Sequence, residues 1–414
     1  MKILLVNWSW FPSGGDWTYI ENVQKLYESK GHEIIPFSTL NTKNVNSAYS
    51  KYFVDTYDFK ELNEHKNISN GIKALRTSVI SEDALHKLDL LLNDHDIKVA
   101  HLNNIHHYLT PAIIEILYSR GVKIIWTLHD FKIICPENSF ISNGDVCEKC
   151  ITGDFYHCAI NLCKKKSFLA SSLASFEAYY YHKKKIYDLV DYFLCPSQFL
   201  LNKFVQFGFK KSKMLVTNSC YDISLVDNFI ASQYINSNDY IPEKYVLYVG
   251  RLEEIKGVHI LIEAVKDTNI RLKIVGTGKD ANFLKKTASG HSNIEFLGFK
   301  QKEEVFKLTM SALYVVCPSI CYENLPFSII ESFLFSKPVI GSEIGGISEL
   351  VIDGKTGLLF EPANSAHLCE KMNYLWNNEN IVYEFGKSAR IHADNMVNYI
   401  HHWNHLDSIL QSFS

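Results

Sequence analysis

No stretch of about 18 apolar residues occurs in the chain, which argues against a membrane-spanning helix. The opening, Met1-Lys-Ile-Leu-Leu-Val-Asn7, has too short an apolar run for an export signal and reads as a first strand. Nor is there a surplus of charge of one sign. A net charge of −3 lacks the broadly basic surface that general nucleic-acid binding uses. Ten cysteines without an export signal point to thiols or metal ligands rather than disulfides. These absences leave a cytoplasmic enzyme or binding protein that does not handle nucleic acid.

What is present is bulk and alternation. At 414 residues the chain exceeds one ordinary core, so two domains of roughly 200 residues are expected. Short β-branched runs alternate with helical patterns, the signature of parallel sheets with crossover helices. Strands are predicted at 3–7, 33–37, 99–102, 123–128 and 192–196. A second series follows at 245–250, 272–276, 294–297, 313–317, 338–341 and 357–360. The expected division is 1–217, 218–392 and a closing helix at 393–414. Ligands of such sheets bind beyond the carboxyl ends of the strands.

The densest chemical signal is Cys321-Tyr-Glu-Asn-Leu-Pro-Phe-Ser-Ile-Ile-Glu-Ser332, followed by Lys337-Pro338 and Gly345-Gly346. A strand, a loop and a helix start are expected there. Helix starts present free N–H groups and a partial positive charge, suited to phosphate. Glu331, one turn in, can reach a sugar hydroxyl beside that phosphate, with Glu323 on the loop above. Upstream, Gly250-Arg251-Leu-Glu-Glu-Ile-Lys256-Gly257 follows a predicted strand. Arg251 can fork onto a diphosphate and Lys256 can add a compact second charge. Solvated surface cations are the plainer alternative.

Together these motifs resemble retaining glycosyltransferases of family 4, through their E-x7-E and G-R-x4-K-G signatures, and the resemblance extends over nearly the whole chain. It implies the GT-B fold: α/β, two facing Rossmann-like domains with a cleft between them. It further implies transfer of a sugar from a nucleoside-diphosphate sugar to a hydroxyl, with retention and without a catalytic metal or other cofactor. Glu323 would be catalytic. Arg251, Lys256, Glu331 and the segment Leu325, Pro326, Phe327 and Ser328 would hold the donor. Many members have Gly-Phe-Gly where this chain has Asn324-Leu325-Pro326, and Pro326 offers no N–H. His129-Asp130, closing a predicted strand, resembles the family's His-Asp pair, so His129 joins the catalytic set. Gly15 after the first strand, and Gly276 and Gly278 after another, are placed near the donor, with a plain turn as the alternative. His106 and His107 are weak acceptor-side candidates. The acceptor is expected to be a saccharide or lipid-linked saccharide in polysaccharide, lipopolysaccharide or O-antigen assembly. Rivals are an epimerase or phosphorylase on the same scaffold, or a non-catalytic nucleotide-sugar binder.

Three further features stand outside this set. Cys147, Cys150, Cys158 and Cys163, within a loop at 135–163, can close a structural zinc site; free thiols are the alternative. Lys164-Lys165-Lys166 and Lys183-Lys184-Lys185 flank an aromatic segment, which can hold an anionic membrane surface or simply be a solvated face. Asp94-His-Asp96 precedes its strand, so it is not a metal-binding Asp-x-Asp.

Overall fold

The computed structural model describes residues 1–413 except 57–78, 107, 218–219, 237–243 and 398. His107 therefore lies outside the described residues. Two compact units emerge: Met1–Asn143, Cys147–Tyr221 and Tyr399–Ser414 in one, Gly144–Val146 and Asp222–Asn398 in the other.

The first unit is built on six parallel strands: β1 (Lys2–Val6), β2 (Glu33–Phe37), β3 (Val99–Leu102), β4 (Lys123–Thr127), β5 (Tyr192–Cys195) and β6 (Met214–Val216). Their order is β2-β1-β3-β4-β5-β6. Ile3 to Val6 are fully buried, as expected where helices cover both faces of a parallel sheet. Pro36 sits opposite Leu5 in β2, an edge strand, where its missing N–H costs no ladder bond on the open side. Sheet order reverses direction between β1 and β3, so the loops after these two strands form a switch point. Helix Gly15–Ser29 follows the first of those loops. Helix Tyr399–Ser412 belongs to this unit through Tyr399, whose hydroxyl donates to Asn22 Oδ1 at 2.9 Å, and His402, whose Nε2 is 3.3 Å from the Tyr19 hydroxyl.

The second unit repeats the plan with β7 (Val246–Val249), β8 (Leu272–Val275), β9 (Ile294–Gly298), β10 (Tyr314–Cys317), β11 (Val339–Ser342) and β12 (Gly357–Phe360). All pairings are parallel, in the order β9-β8-β7-β10-β11-β12. This is the doubly wound arrangement whose switch point lies between its first and fourth strands. Here those are β7 and β10, paired through Val246 with Tyr314 and Leu247 with Val315. The apolar positions of both strands feed one core with Leu261, Ile262, Leu368 and Met372. What the sheet leaves open at its carboxyl edge is the pair of loops after β7 and β10, and both carry the charged motifs.

The strands observed match the predicted positions closely, apart from β6. Met214–Val216 is only three residues long and follows Lys210, Lys211 and Lys213, so no apolar alternation marks it.

Candidate functional site

The loop after β7 is shaped by glycine and backbone contact. It passes Arg251, makes a 3₁₀ turn at Glu254–Lys256 and reverses at Gly257, whose φ of 68° is left-handed. A Cβ on Gly257 would lie 1.8 Å from the Pro318 carbonyl oxygen, so only glycine lets this turn lie against the β10 loop. The two loops are then stitched by Ile320 N–H donating to the Ile255 carbonyl at 3.0 Å. That contact brings Lys256 under Glu323.

Lys256 Nζ donates to Glu323 Oε1 at 2.5 Å, and Ser319 Oγ donates to the same oxygen at 2.7 Å. Both members of the ion pair are largely buried, with side-chain exposures of 19% and 15%. Burial alone would push the Glu323 carboxyl up. The Lys256 ammonium, the bonds from Lys256 and Ser319, and the nearby Arg251 charge outweigh it and hold the pKa below the ordinary value. Burial conversely lowers the Lys256 pKa, but Glu323 leaves it raised overall. The site thus holds a carboxylate and an ammonium, both charged at neutral pH. Sequence reasoning assigned the two residues to separate ligand groups; the structure pairs them directly.

Arg251 is mostly exposed and bonds Glu253 Oε1 through Nη1 at 3.0 Å. Its backbone carbonyl accepts from the buried Tyr248 hydroxyl at 2.8 Å, which fixes where the guanidinium leaves the sheet edge. Gly276 and Gly278 serve this same loop. A Cβ on either would meet the Gly250 or Leu252 carbonyl at 1.8 or 2.2 Å, and Leu252 N–H donates to the Thr277 carbonyl at 2.9 Å. Close packing of the β8 turn against the Arg251 loop is thus the structural demand on these glycines.

Beyond Glu323, Pro326 caps helix Phe327–Leu334 at its N-terminus, so the helix begins one residue before Ser328. Leu325, Phe327 and Ser328 are half-buried, and Glu331 sits on the second turn, also half-buried. The Gly345-Gly346 pair lies directly against the Glu323 backbone. Gly346 N–H donates to the Glu323 carbonyl at 2.6 Å, and a Cβ on Gly346 would stand 1.9 Å from the Asn324 carbonyl oxygen. This close approach gives the spacing between the acidic motif and its glycines a physical cause. Ser319, by contrast, was missed: a lone serine four positions ahead of Glu323 gives no sequence signal.

In the first unit, the loops after β1 and β3 meet at their own switch point. Asn104 N–H donates to Asn7 Oδ1 at 3.1 Å, and Asn104 Nδ2 donates to Asp16 Oδ2 at 3.2 Å. Gly14, with φ of 140°, caps helix Gly15–Ser29; the conformational demand falls on Gly14, while Gly15 is an ordinary first helical residue. His129 Nε2 lies 2.9 Å from Asn103 Oδ1, with the Tyr19 ring edge-on at 5.2 Å. Burial lowers the His129 pKa to about 4, although Asp16 pulls the other way. The imidazole is therefore neutral at pH 7 and donates to Asn103. His101 is a core residue, bonded to Thr127 Oγ1 at 2.7 Å and the Tyr27 hydroxyl at 3.1 Å, and burial takes its pKa to about 3. His106 is buried as well, its ring tilted against Trp126 at 5.7 Å, because Trp126 fills the adjacent β4 position. That burial runs against its expected acceptor-side role.

These imidazoles make the unit acid-sensitive. Folded-state pKa values below the ordinary 6.5 mean that the unfolded chain binds more protons between about pH 6.5 and pH 4. Stability therefore falls as pH is lowered through that window. A melting temperature followed by far-ultraviolet circular dichroism should drop between pH 7 and pH 5; an unchanged or rising value would contradict the burial of neutral His101 and His129.

Cys147, Cys150, Cys158 and Cys163 line one small cavity of about 10 Å³ together with Cys135 and His157. Among the described residues, however, no three His, Cys, Asp or Glu side chains stand as a metal site requires. Cys150 and Cys158 instead pack into an apolar cluster with Phe155, Ala174 and Ala178. Burial pushes the Cys150 thiol up to about 12. A hydrogen bond between Cys158 and Cys163 raises the former and lowers the latter.

Residues 236–392 match the family Glycosyl transferases group 1, and that stretch of the second unit holds Arg251, Lys256, Glu323 and Glu331. An uncharacterized glycosyltransferase of Methanocaldococcus jannaschii is 38% identical over 159 residues, which is 37% of this chain and 44% of that protein. The O-antigen chain mannosyltransferase C of Escherichia coli is 32% identical over 160 residues, 38% of this chain and 43% of its own. The chain thus spans less than half the length of these curated relatives. Over its whole length it is similar in fold to Anabaena HepE, solved in complex with UDP and glucose, with a TM-score of 0.66, 18% identity and 100% of both chains covered. The fold class is GT-B.

Proposed function

We propose that the chain is a retaining glycosyltransferase that moves a sugar from a nucleoside-diphosphate sugar to a hydroxyl of a saccharide or lipid-linked saccharide. The observation that carries this reading is the Lys256–Glu323 pair, within the field of the Arg251 charge, at the switch point of the second sheet. Charge at such an edge, beside a helix N-terminus, suits a pyrophosphate.

In this reading Arg251 forks onto the diphosphate, and Lys256 shares its ammonium between Glu323 and the departing phosphate oxygens. Negative charge grows on those oxygens as the anomeric bond breaks, and fixed cations stabilise it without reorganising. Glu323, kept ionised by Lys256 and Ser319, faces the positive charge developing at the anomeric carbon. Glu331 bonds the ribose, with Leu325 through Ser328 supplying backbone contacts to phosphate and sugar. Pro326 can only accept there, so N–H groups come from its neighbours. His129, whose Nε2–H is given to Asn103, accepts at Nδ1 from a hydroxyl of the transferred sugar. The similarity to an O-antigen mannosyltransferase supports a role in bacterial surface polysaccharide assembly at the cytoplasmic side.

Thermal-shift measurements against UDP-, GDP- and ADP-sugars test the donor. A ligand that binds only the folded state stabilises it by about 2.7 kcal/mol at a hundredfold excess over Kd. One nucleotide class should raise the melting temperature at micromolar to millimolar concentration, and the same class should support transfer. No shift with any nucleotide would remove the reading. Turnover of the donor to an isomer with no acceptor present would replace it with epimerisation.

A further inference from the structure

Helix Phe168–Lys183 is turned inside out. Its buried face consists of Ser171, Ala174, Ser175, Ala178 and Tyr181, mostly small residues. Ser175 Oγ donates to the Phe155 carbonyl at 2.8 Å, and Lys164 N–H donates to Ser171 Oγ at 2.9 Å. The large apolar side chains point the other way: Phe168, Leu169 and Phe176 are 68%, 72% and 58% exposed, and Ile160 on the adjoining helix Tyr156–Ile160 is 67% exposed. Ordinary amphipathic helices do the reverse, burying the bulky residues to gain hydrophobic free energy. Seven of the twenty large apolar side chains exposed among the described residues fall between Tyr156 and Tyr179. So dense a concentration marks a contact surface.

The rim of this surface is cationic. Lys165 and Lys166 precede the helix and are exposed, each with φ near 50°. Lys183, Lys184 and Lys185 close its other end. Lys184 pairs with Glu115 at 3.1 Å, whereas Lys165, Lys166, Lys183 and Lys185 enter none of the ion pairs among the described residues.

We propose that this face docks on an anionic lipid bilayer surface, with Phe168, Leu169, Phe176 and Ile160 entering the headgroup boundary and the lysines meeting lipid phosphates. Apolar residues flanked by lysines are the chemistry of an interfacial helix. A second copy of the chain fits less well, because a two-fold contact would set this lysine rim against itself. The inference does not depend on the donor chemistry. It adds a location for the acceptor if that acceptor is lipid-linked.

Co-sedimentation of the full chain with vesicles tests it. Vesicles of phosphatidylcholine with one part in three phosphatidylglycerol should carry the protein down; phosphatidylcholine alone should not. The double variant Phe168→Ser/Leu169→Ser should keep its melting temperature and lose about tenfold in vesicle affinity. Lys165→Glu/Lys166→Glu should do the same and abolish the salt sensitivity of binding. No binding to anionic vesicles, equal binding to both compositions, or unchanged binding by both variants would overturn the proposal. So would light scattering that shows a dimer lost in the Phe168 and Leu169 variant. Donor-induced thermal shifts should be unaffected by either substitution, so failure here leaves the transferase reading standing.

Discussion

Lys256→Ala is expected to destabilise the second unit by about 3–5 kcal/mol, the usual cost of leaving a buried charge without its partner. Lys256 and Glu323 are only 19% and 15% exposed, so water cannot replace the lost ammonium. Ser319 alone then bonds a carboxylate that burial pushes toward the neutral form. For a unit of this size the loss corresponds to a fall in Tm of roughly 10 °C. The pH dependence separates this cause from simple loss of packing. In the native chain Glu323 has a folded pKa below its unfolded value, so its contribution is present above about pH 4.3 and is lost as pH falls through the folded value. In Lys256→Ala the carboxyl has no cation in contact and its folded pKa moves above the unfolded one. The penalty then shrinks as acid protonates Glu323, and the gap between variant and native Tm should be wider at pH 7 than near pH 4.5. Lys256→Met combined with Glu323→Gln should recover part of the stability while lacking activity, since both buried charges have gone. A Lys256→Ala protein as stable as the native one would show that the pair is not buried as described.

The same pair shows what sequence can and cannot deliver. Glu323, Glu331, Arg251 and Lys256 stand out because charged residues recur at fixed distances after strands whose β-branched runs are easy to place. Which of them touch depends on how two loops far apart in sequence lie against each other. Here that is decided by Gly257 against Pro318 and by Gly346 against Asn324. A glycine in a turn looks alike whether it relieves a left-handed φ or leaves room for a carbonyl, so Gly276 and Gly278 offered no way to choose. Gly14 and Gly15 were interchangeable for the same reason, until the helix cap fell on Gly14. Histidines mislead in another way. His101 and His106 follow or end a strand as His129 does, yet Thr127 and Trp126 on the neighbouring strand enclose them. Cross-strand neighbours belong to register, which composition does not reveal. The helix Phe168–Lys183 is the clearest case: its small inward residues and bulky outward ones make any amphipathic reading point to the wrong face.

Arg251→Ala should leave stability within about 1 kcal/mol of native while lowering kcat/KM for transfer by roughly 10²–10³. The contrast with Lys256 follows from exposure. Arg251 is 64% exposed, and its ion pair with Glu253, the one it makes among the described residues, is the surface kind that contributes about 0–1 kcal/mol. Its fold-independent role would be to meet the diphosphate, and removing a fixed donor aimed at developing charge costs about 3–4 kcal/mol of transition-state stabilisation. Arg251→Lys keeps the charge but not the planar fork, so an intermediate loss of about tenfold is expected. Glu331→Ala should fall in the Arg251 class for activity, through the proposed ribose contact. If the contact forms in ground and transition states alike, KM should rise with little change in kcat; if it tightens as the sugar departs, kcat should fall. Steady-state kinetics with the donor identified by thermal shift separate the two. Native turnover in both Arg251→Ala and Glu331→Ala would mean that the charged edge of the second sheet does not hold the leaving group, and the transferase assignment would fall with it.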